Sequence, residues 1–238
     1  MVIIHGSGPS RRDSRWYLST AANLQAHGVA VLLPDKRGCE RSEGEWVGAS
    51  FEELATDSCS AVNFIRTQSI FVPSTVGLIG MSQGGWIAPI VANECEGVEF
   101  VVSMSGAAVT TEDQLVYEEQ NNISHYTYGF IARLVAPWSA KRLQQMDHIA
   151  AYMGFDPIPY WQTVDVPVLF AFGGADENVP VRASIDRLQE HGLGHFMVEV
   201  YADGGHAIRD PQTSSVSDAF LNDLVDFIDA ADTADSHE

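Results

Sequence analysis

The chain has 238 residues, 45% hydrophobic and 19% charged, which are the proportions of one soluble globular domain. Thirteen basic residues stand against 32 acidic ones, a formal net charge of −19, and such a surface repels phosphate backbones and anionic lipid, so neither nucleic acid nor a membrane is an expected partner. No run reaches the roughly 18–20 apolar residues of a membrane span, and the opening MVIIHGSG lacks the basic start and apolar run of a secretory signal, so a cytoplasmic location is expected.

In chain order, short apolar runs alternate with helical patterns. Strands are expected at Val2–His5, Val29–Leu33, Val76–Gly80, Phe100–Met104, Val168–Gly173 and Phe196–Tyr201. Helices are expected near Tyr17–His27, Phe51–Thr67, Gly84–Glu94, Val181–Glu190 and Val216–Ala230. The last of these shows Val216, Phe220, Leu224, Phe227 and Ile228 at helical spacing. This alternation predicts an α/β fold, a mostly parallel sheet of about six strands flanked by helices, as a single domain over residues 1–238. The interval 107–161 is too long for a simple crossover and predicts a helical cap insertion over the C-terminal edge of the sheet. Its aromatic residues divide between core and ligand wall, and Trp138 and Trp161 are the candidates for substrate binding. Cys39, Cys59 and Cys95 cannot all pair within one chain and show no metal-ligand spacing, so free thiols and no metal site are expected. Lys36 and Lys141 are the only lysines. A carboxylate-rich, lysine-poor surface fits both salt adaptation and ordinary solubility.

The strongest local signal is Gly80-Met81-Ser82-Gln83-Gly84, between an apolar strand and a helical run. A serine in so sharp a turn needs small neighbours, and the turn lifts its hydroxyl out at a helix N-terminus. A hydroxyl is a weak nucleophile and needs a base that is itself oriented by an acid. Asp176 follows one apolar strand in Gly173-Gly174-Ala175-Asp176, and His206 follows the next in Asp203-Gly204-Gly205-His206. The three therefore lie at one sheet edge as a candidate catalytic triad of Ser82, Asp176 and His206. Glu177 and Asp203 are rivals for the acid. The rival bases are His5, His27, His125, His148, His191, His195 and His237. For the oxyanion hole the expected amides are Gln83, after the nucleophile, and Ser7, with Gly6 or Gly8 as alternatives. His5 is expected to hold that loop by side-chain hydrogen bonds.

Five motifs in order, His5-Gly6-Ser7-Gly8-Pro9 with Arg12-Asp13, Asp35-Lys36-Arg37-Gly38, the Ser82 elbow and the two loops of Asp176 and His206, resemble the bacterial α/β-hydrolase-fold carboxylesterases of the dienelactone-hydrolase-like and serine-aminopeptidase-like group. The resemblance covers nearly the whole chain. It implies a serine hydrolase acting on a small-molecule ester without metal or cofactor, with peptidase, thioesterase and acyltransferase activities as alternatives on the same triad, and a non-catalytic ligand-binding protein as the rival from another class. Two departures stand out. Glu40 replaces a glycine of the relatives, which predicts another loop shape because glutamate adopts positive φ at a cost. Met1 opens the strand that two others usually precede, so the chain is either truncated or minimal. Either way Val29–Leu33 becomes an apolar edge, to be covered by a homodimer or larger assembly or, in a monomer, by a loop or the C-terminal segment.

Overall fold

The computed structural model describes residues 1–68 and 73–235. Five strands, β1 (Val2–Ile4), β2 (Gly77–Met81), β3 (Phe100–Met104), β4 (Val168–Gly173) and β5 (Met197–Tyr201), form one sheet in the order β1-β2-β3-β4-β5, every pair parallel. Strands β1 to β4 read as near-continuous apolar runs and are buried on both faces, as a parallel sheet with helices on each side requires, whereas β5 at the edge is half exposed. The period of two sorts their side chains. Val2, Ile4, Leu78, Val101, Phe170 and Phe172 pack with α2 (Phe51–Arg66) and α3 (Gly84–Glu94) on one face. Ile3, Ile79, Met81, Val102, Met104, Leu169 and Ala171 pack with α1 (Arg15–Ala26) and α9 (Asp218–Asp235) on the other. The apolar stripe foreseen in the last helix is that second face, through Phe220, Leu224, Phe227 and Ile228.

Five strands stand where about six were expected. Val29–Leu33 contributes a single parallel bridge, Leu32 to Val2, with Ile3 N–H donating to the Leu32 carbonyl and Leu32 N–H to that of Met1. With the Met1 ammonium donating to the Ala30 carbonyl at 2.9 Å the contacts number three, but they carry one bridge and not a ladder. The cysteine expectation is also corrected. Cys59 on α2 and Cys95 at the end of α3 form a disulfide with Cα atoms 5.7 Å apart, leaving Cys39 as the free, buried thiol. The packing of α2 on α3 is what brings together two residues 36 positions apart.

Between β3 and β4 run α4 (Thr111–Ser124), α5 (Gly129–Leu143) and the short α6 (Asp147–Ala150) and α7 (Ile158–Trp161). Helix α4 begins where Thr110 caps the Asp113 amide, and Glu112 and Asp113 complement the helix dipole. The last helix before β5, α8 (Val181–Glu190), follows the loop of Asp176. Among the described residues no helix is long and apolar enough to cross a membrane.

Candidate active site

The elbow is built from the sheet upward. Strand β2 ends at Met81, Ser82 takes a φ of 56°, and α3 starts two residues later. That left-handed conformation costs a non-glycine residue roughly 1–2 kcal/mol. It is held by Ser82 N–H donating to the Met104 carbonyl at 2.8 Å and by Gly85 N–H donating back to Ser82 at 2.8 Å. A Cβ at Gly80 would run into the Gly84 carbonyl, and one at Gly84 into the carbonyl of Ile4. The glycines are there because backbones touch.

The three predicted side chains meet. His206 Nε2 lies 2.8 Å from Ser82 Oγ, and His206 Nδ1 lies 2.8 Å from Asp176 Oδ2. Asp176 has a fully buried side chain. Its other oxygen accepts from the amides of Asn178 at 2.8 Å and Val179 at 3.0 Å, so the carboxylate is fixed by its own loop. A hydroxyl, an imidazole and a carboxylate in this chain can pass a proton from oxygen to ring while the carboxylate stabilises the resulting cation. The rival acids are elsewhere: Glu177 contacts His125 at 2.9 Å, and Asp203 is exposed.

Around the expected oxyanion site the loop is tied down by residues the motifs did not single out. Gly6 N–H donates to Tyr17 Oη at 3.0 Å, which removes Gly6 from the candidate donors. Tyr17 donates to Ser10 Oγ, and Ser10 donates to the Gly6 carbonyl at 3.1 Å. Lys36 Nζ donates to the carbonyls of Gly6 at 2.9 Å and Gly8 at 3.2 Å and to Gln83 Oε1 at 3.3 Å. The amides of Ser7 and Gln83 have no hydrogen-bond partner among the described residues. His5 does not hold this loop by hydrogen bonds. Its ring is buried edge-on against Tyr17, 4.9 Å between centroids, with Nε2 unpartnered among the described residues. Burial, and then the Lys36 charge, lower it to about 4, so it is neutral at physiological pH.

In the next loop Glu40 adopts the positive φ that its side chain was expected to disfavour. Glu40 takes a φ of 50° and pairs with Arg11 at 2.7 Å. Arg12 pairs with Asp35 at 3.0 Å, and Arg37 grips Asp57 of α2 through two hydrogen bonds, so charged residues of the motifs fasten loop to loop and loop to helix.

Neither tryptophan lies where an acyl wall was expected. Trp161 is fully buried in the core, its ring 4.8 Å from that of Phe170 and 6.0 Å from that of Phe196. Trp138 on α5 is 67% exposed and lines no described cavity. The periodicity could not separate these fates, because both are aromatics of the same long interval between two strands, Trp138 in α5 and Trp161 in α7. The small cavity beside the expected oxyanion amides, about 30 Å³, is lined instead by Trp46, His148 and Tyr152 with Ser7, Gly8, Lys36 and Gln83. A larger one, about 420 Å³, lies between β1 and α2 and reaches none of Ser82, Asp176 and His206. Two further aromatics touch the site: Trp16 of α1 lies 5.7 Å from the His206 ring, and Tyr117 of α4 donates to the Asp176 carbonyl at 3.0 Å. Among the described residues no three His, Cys, Asp or Glu side chains are grouped to hold a metal ion.

Comparison with known proteins gives three findings. The family described as BAAT / Acyl-CoA thioester hydrolase C terminal matches residues 59–227. Acylamino-acid-releasing enzyme 2 of Oryza sativa subsp. japonica is 24% identical over 229 residues, covering 93% of this chain and 29% of that protein. The chain thus spans less than a third of the curated relatives it matches. Among solved structures, a Pyrococcus furiosus esterase superposes with a TM-score of 0.71 at 17% identity, covering 96% of this chain and 80% of the other. Est1E from Butyrivibrio proteoclasticus does so with a TM-score of 0.69 at 18% identity, covering 97% and 86%. These likenesses establish the α/β-hydrolase fold.

Proposed function

Because the chain belongs to the BAAT / acyl-CoA thioester hydrolase C-terminal family of α/β-fold hydrolases, we propose that it is a serine carboxylesterase that cleaves small to medium acyl esters through an acyl-enzyme on Ser82. The observation that carries this reading is the unbroken chain of 2.8 Å contacts from Ser82 Oγ through His206 to Asp176. In the first half-reaction Ser82 Oγ bonds to the ester carbonyl carbon and its proton passes to His206 Nε2. The amides of Gln83 and Ser7 receive the oxyanion, the C–O bond to the alcohol breaks, and His206 returns the proton to the departing oxygen. Water then adds to the acyl carbon as its proton passes to His206 Nε2, the bond from that carbon to Ser82 Oγ breaks to release the acid, and His206 returns the proton to Ser82 Oγ. Asp176 holds the Nδ1 proton throughout, so that Nε2 is the nitrogen that takes up and returns the travelling proton. In this reading α4–α7 form a cap above the nucleophile, and the mechanism draws on side chains and backbone amides alone.

Ser82→Ala is expected to lower turnover of p-nitrophenyl esters by at least ~10³-fold without moving the thermal midpoint, and a serine-directed phosphonate to label Ser82. Retained activity in that variant overturns the reading.

A second reading is favoured by what the similar proteins are called: the family description names an acyl-CoA thioester hydrolase and the rice relatives are acylamino-acid-releasing enzymes. Leaving-group choice is set by pocket shape and not by the triad. A panel of p-nitrophenyl esters of rising chain length, acyl-CoA thioesters and N-acyl-aminoacyl anilides ranks the three by kcat/KM.

A further inference from the structure

Lys36 is an oddity in this chain. It is one of two lysines, and its side chain is buried at 7% exposure. Among the described residues no carboxylate pairs with its ammonium. Taking an ammonium out of water without a counter-ion is costly, and sequences retain such a group where something uses it. Its partners here are three oxygens, the carbonyls of Gly6 and Gly8 and Gln83 Oε1, and the Trp46 ring lies 5.6 Å from Nζ. Three acceptors match the three N–H bonds of an ammonium, so every donor is used.

The identity of those acceptors gives the group a task. The peptide between Gly6 and Ser7 is planar and trans, so its C=O and N–H point in opposite directions. Fixing the Gly6 carbonyl on Lys36 therefore fixes the Ser7 N–H on the side facing away from Lys36. The Gly8 carbonyl anchors the far side of the same turn. Through Gln83 Oε1 the same ammonium grips the residue whose own amide is the other expected donor. We propose that Lys36 is a positioning residue of the oxyanion hole, clamping the Gly6–Gly8 loop to Gln83 so that the Ser7 and Gln83 amides face one point. The proposal rests on the serine-hydrolase reading and adds to it what holds the hole in shape.

A pH readout follows from the donor count. Burial lowers Lys36 to about 8, with the nearby Cys39 opposing the shift. Below that pH the ammonium has three donors; above it the neutral amine has two, and one carbonyl loses its partner. kcat should therefore fall as pH rises through about 8. The other titratable groups facing Lys36 are His5 from β1, Asp35 and Cys39 from its own loop, and His148 and Tyr152 from the insertion. His5 titrates far lower, burial raises the Cys39 thiol, and Tyr152 is raised to about 12. Control variants Cys39→Ser and His148→Gln, which should keep the alkaline limb, separate the remaining neighbours.

The test measures kcat and KM for p-nitrophenyl butyrate across pH 6–9.5 in the wild type, Lys36→Met and Lys36→Gln. It adds inhibition by a trifluoromethyl ketone, to whose carbonyl carbon Ser82 Oγ bonds while its proton passes to His206, leaving an oxyanion in the hole. Lys36→Met is expected to lose about 10–10²-fold in kcat with KM within about threefold, since an oxyanion donor acts in the transition state. Inhibitor affinity should fall by a similar factor, and the alkaline limb should vanish. Lys36→Gln, which retains two N–H donors, should recover part of kcat and also lack the limb. A wild type with no limb near pH 8, a limb that persists in Lys36→Met, or a loss confined to KM overturns the proposal. If Lys36→Met does not fold, the wild-type limb together with Lys36→Gln decides. A dead Ser82→Ala beside a fully active Lys36→Met removes Lys36 alone, whereas an active Ser82→Ala removes the serine reading itself.

Discussion

The loops after β2, β4 and β5 and the helical pair α4–α5 are fastened by different means. In the loops, position comes from backbone: Ser82 is held between Met104 and Gly85, Asp176 by its own loop amides, and the glycines by carbonyls that leave no room for a Cβ. In the pair, α5 turns Ala132, Ala136 and Ala140 inward, small enough for close helix approach, and leaves Phe130, Leu134 and Trp138 facing outward. Helix α4 reaches the acid loop through three side chains: Tyr117 to the Asp176 carbonyl, Asn121 to the Glu177 carbonyl and His125 to the Glu177 side chain. Loops set by backbone contacts tolerate little change, while a few polar tethers let α4 and α5 vary without dislodging those loops.

Three substitutions test that contrast, in falling order of effect. Trp161→Ala should cost about 3–5 kcal/mol in denaturant unfolding, because it empties a core site packed by Phe170 and Phe196. A cost under about 1 kcal/mol together with altered acyl-chain preference would return Trp161 to the cavity wall. Tyr117→Phe removes one tether and should cost about 0.5–1.5 kcal/mol while kcat stays within about threefold; a collapse in kcat would make α4 part of what defines the site. Trp138→Ala should leave unfolding free energy within about 0.5 kcal/mol and acyl-chain preference unchanged, as befits an exposed side chain away from every described cavity. A shift in preference would bring α5 into the substrate path.

The contrast also explains what could be read from the residues. Ser82, Asp176 and His206 were legible because each sits in a glycine-bearing loop directly after an apolar strand, and parallel strands deliver such loops to one edge. The clamps were not: Tyr17 accepts from the Gly6 amide while Lys36 and Tyr117 donate to carbonyls, and a hydrogen bond to backbone carries no spacing rule. Lys36 stood inside a noted motif, and its rarity in this lysine-poor chain was the available signal. His5 was assigned the tethering that Tyr17 and Lys36 perform, since loop position alone does not tell which polar neighbour is within reach. Glu40 shows the converse: a steric preference of order 1 kcal/mol gives way when the surrounding loop is fixed elsewhere. Val29–Leu33 meets β1 through a single bridge, which its apolar composition does not foretell, and the Cys59–Cys95 pair depended on how two helices dock.

The detour between β3 and β4 has a consequence for how the chain can change over time. From Met81 to Phe100 the chain crosses with one helix, whereas from Met104 to Val168 it passes through α4–α7 before rejoining the sheet as the next neighbour. Closure entropy grows only with the logarithm of length, about 0.6 kcal/mol per doubling, so a crossing roughly three times longer is disfavoured by only about 1 kcal/mol. The burden falls on kinetics, because β3 and β4 must find each other across a distant stretch of chain. Segments at this point can therefore be lengthened, exchanged or pruned by insertion and deletion with little thermodynamic resistance, and selection there acts mainly on folding speed and on what the new segment recognises.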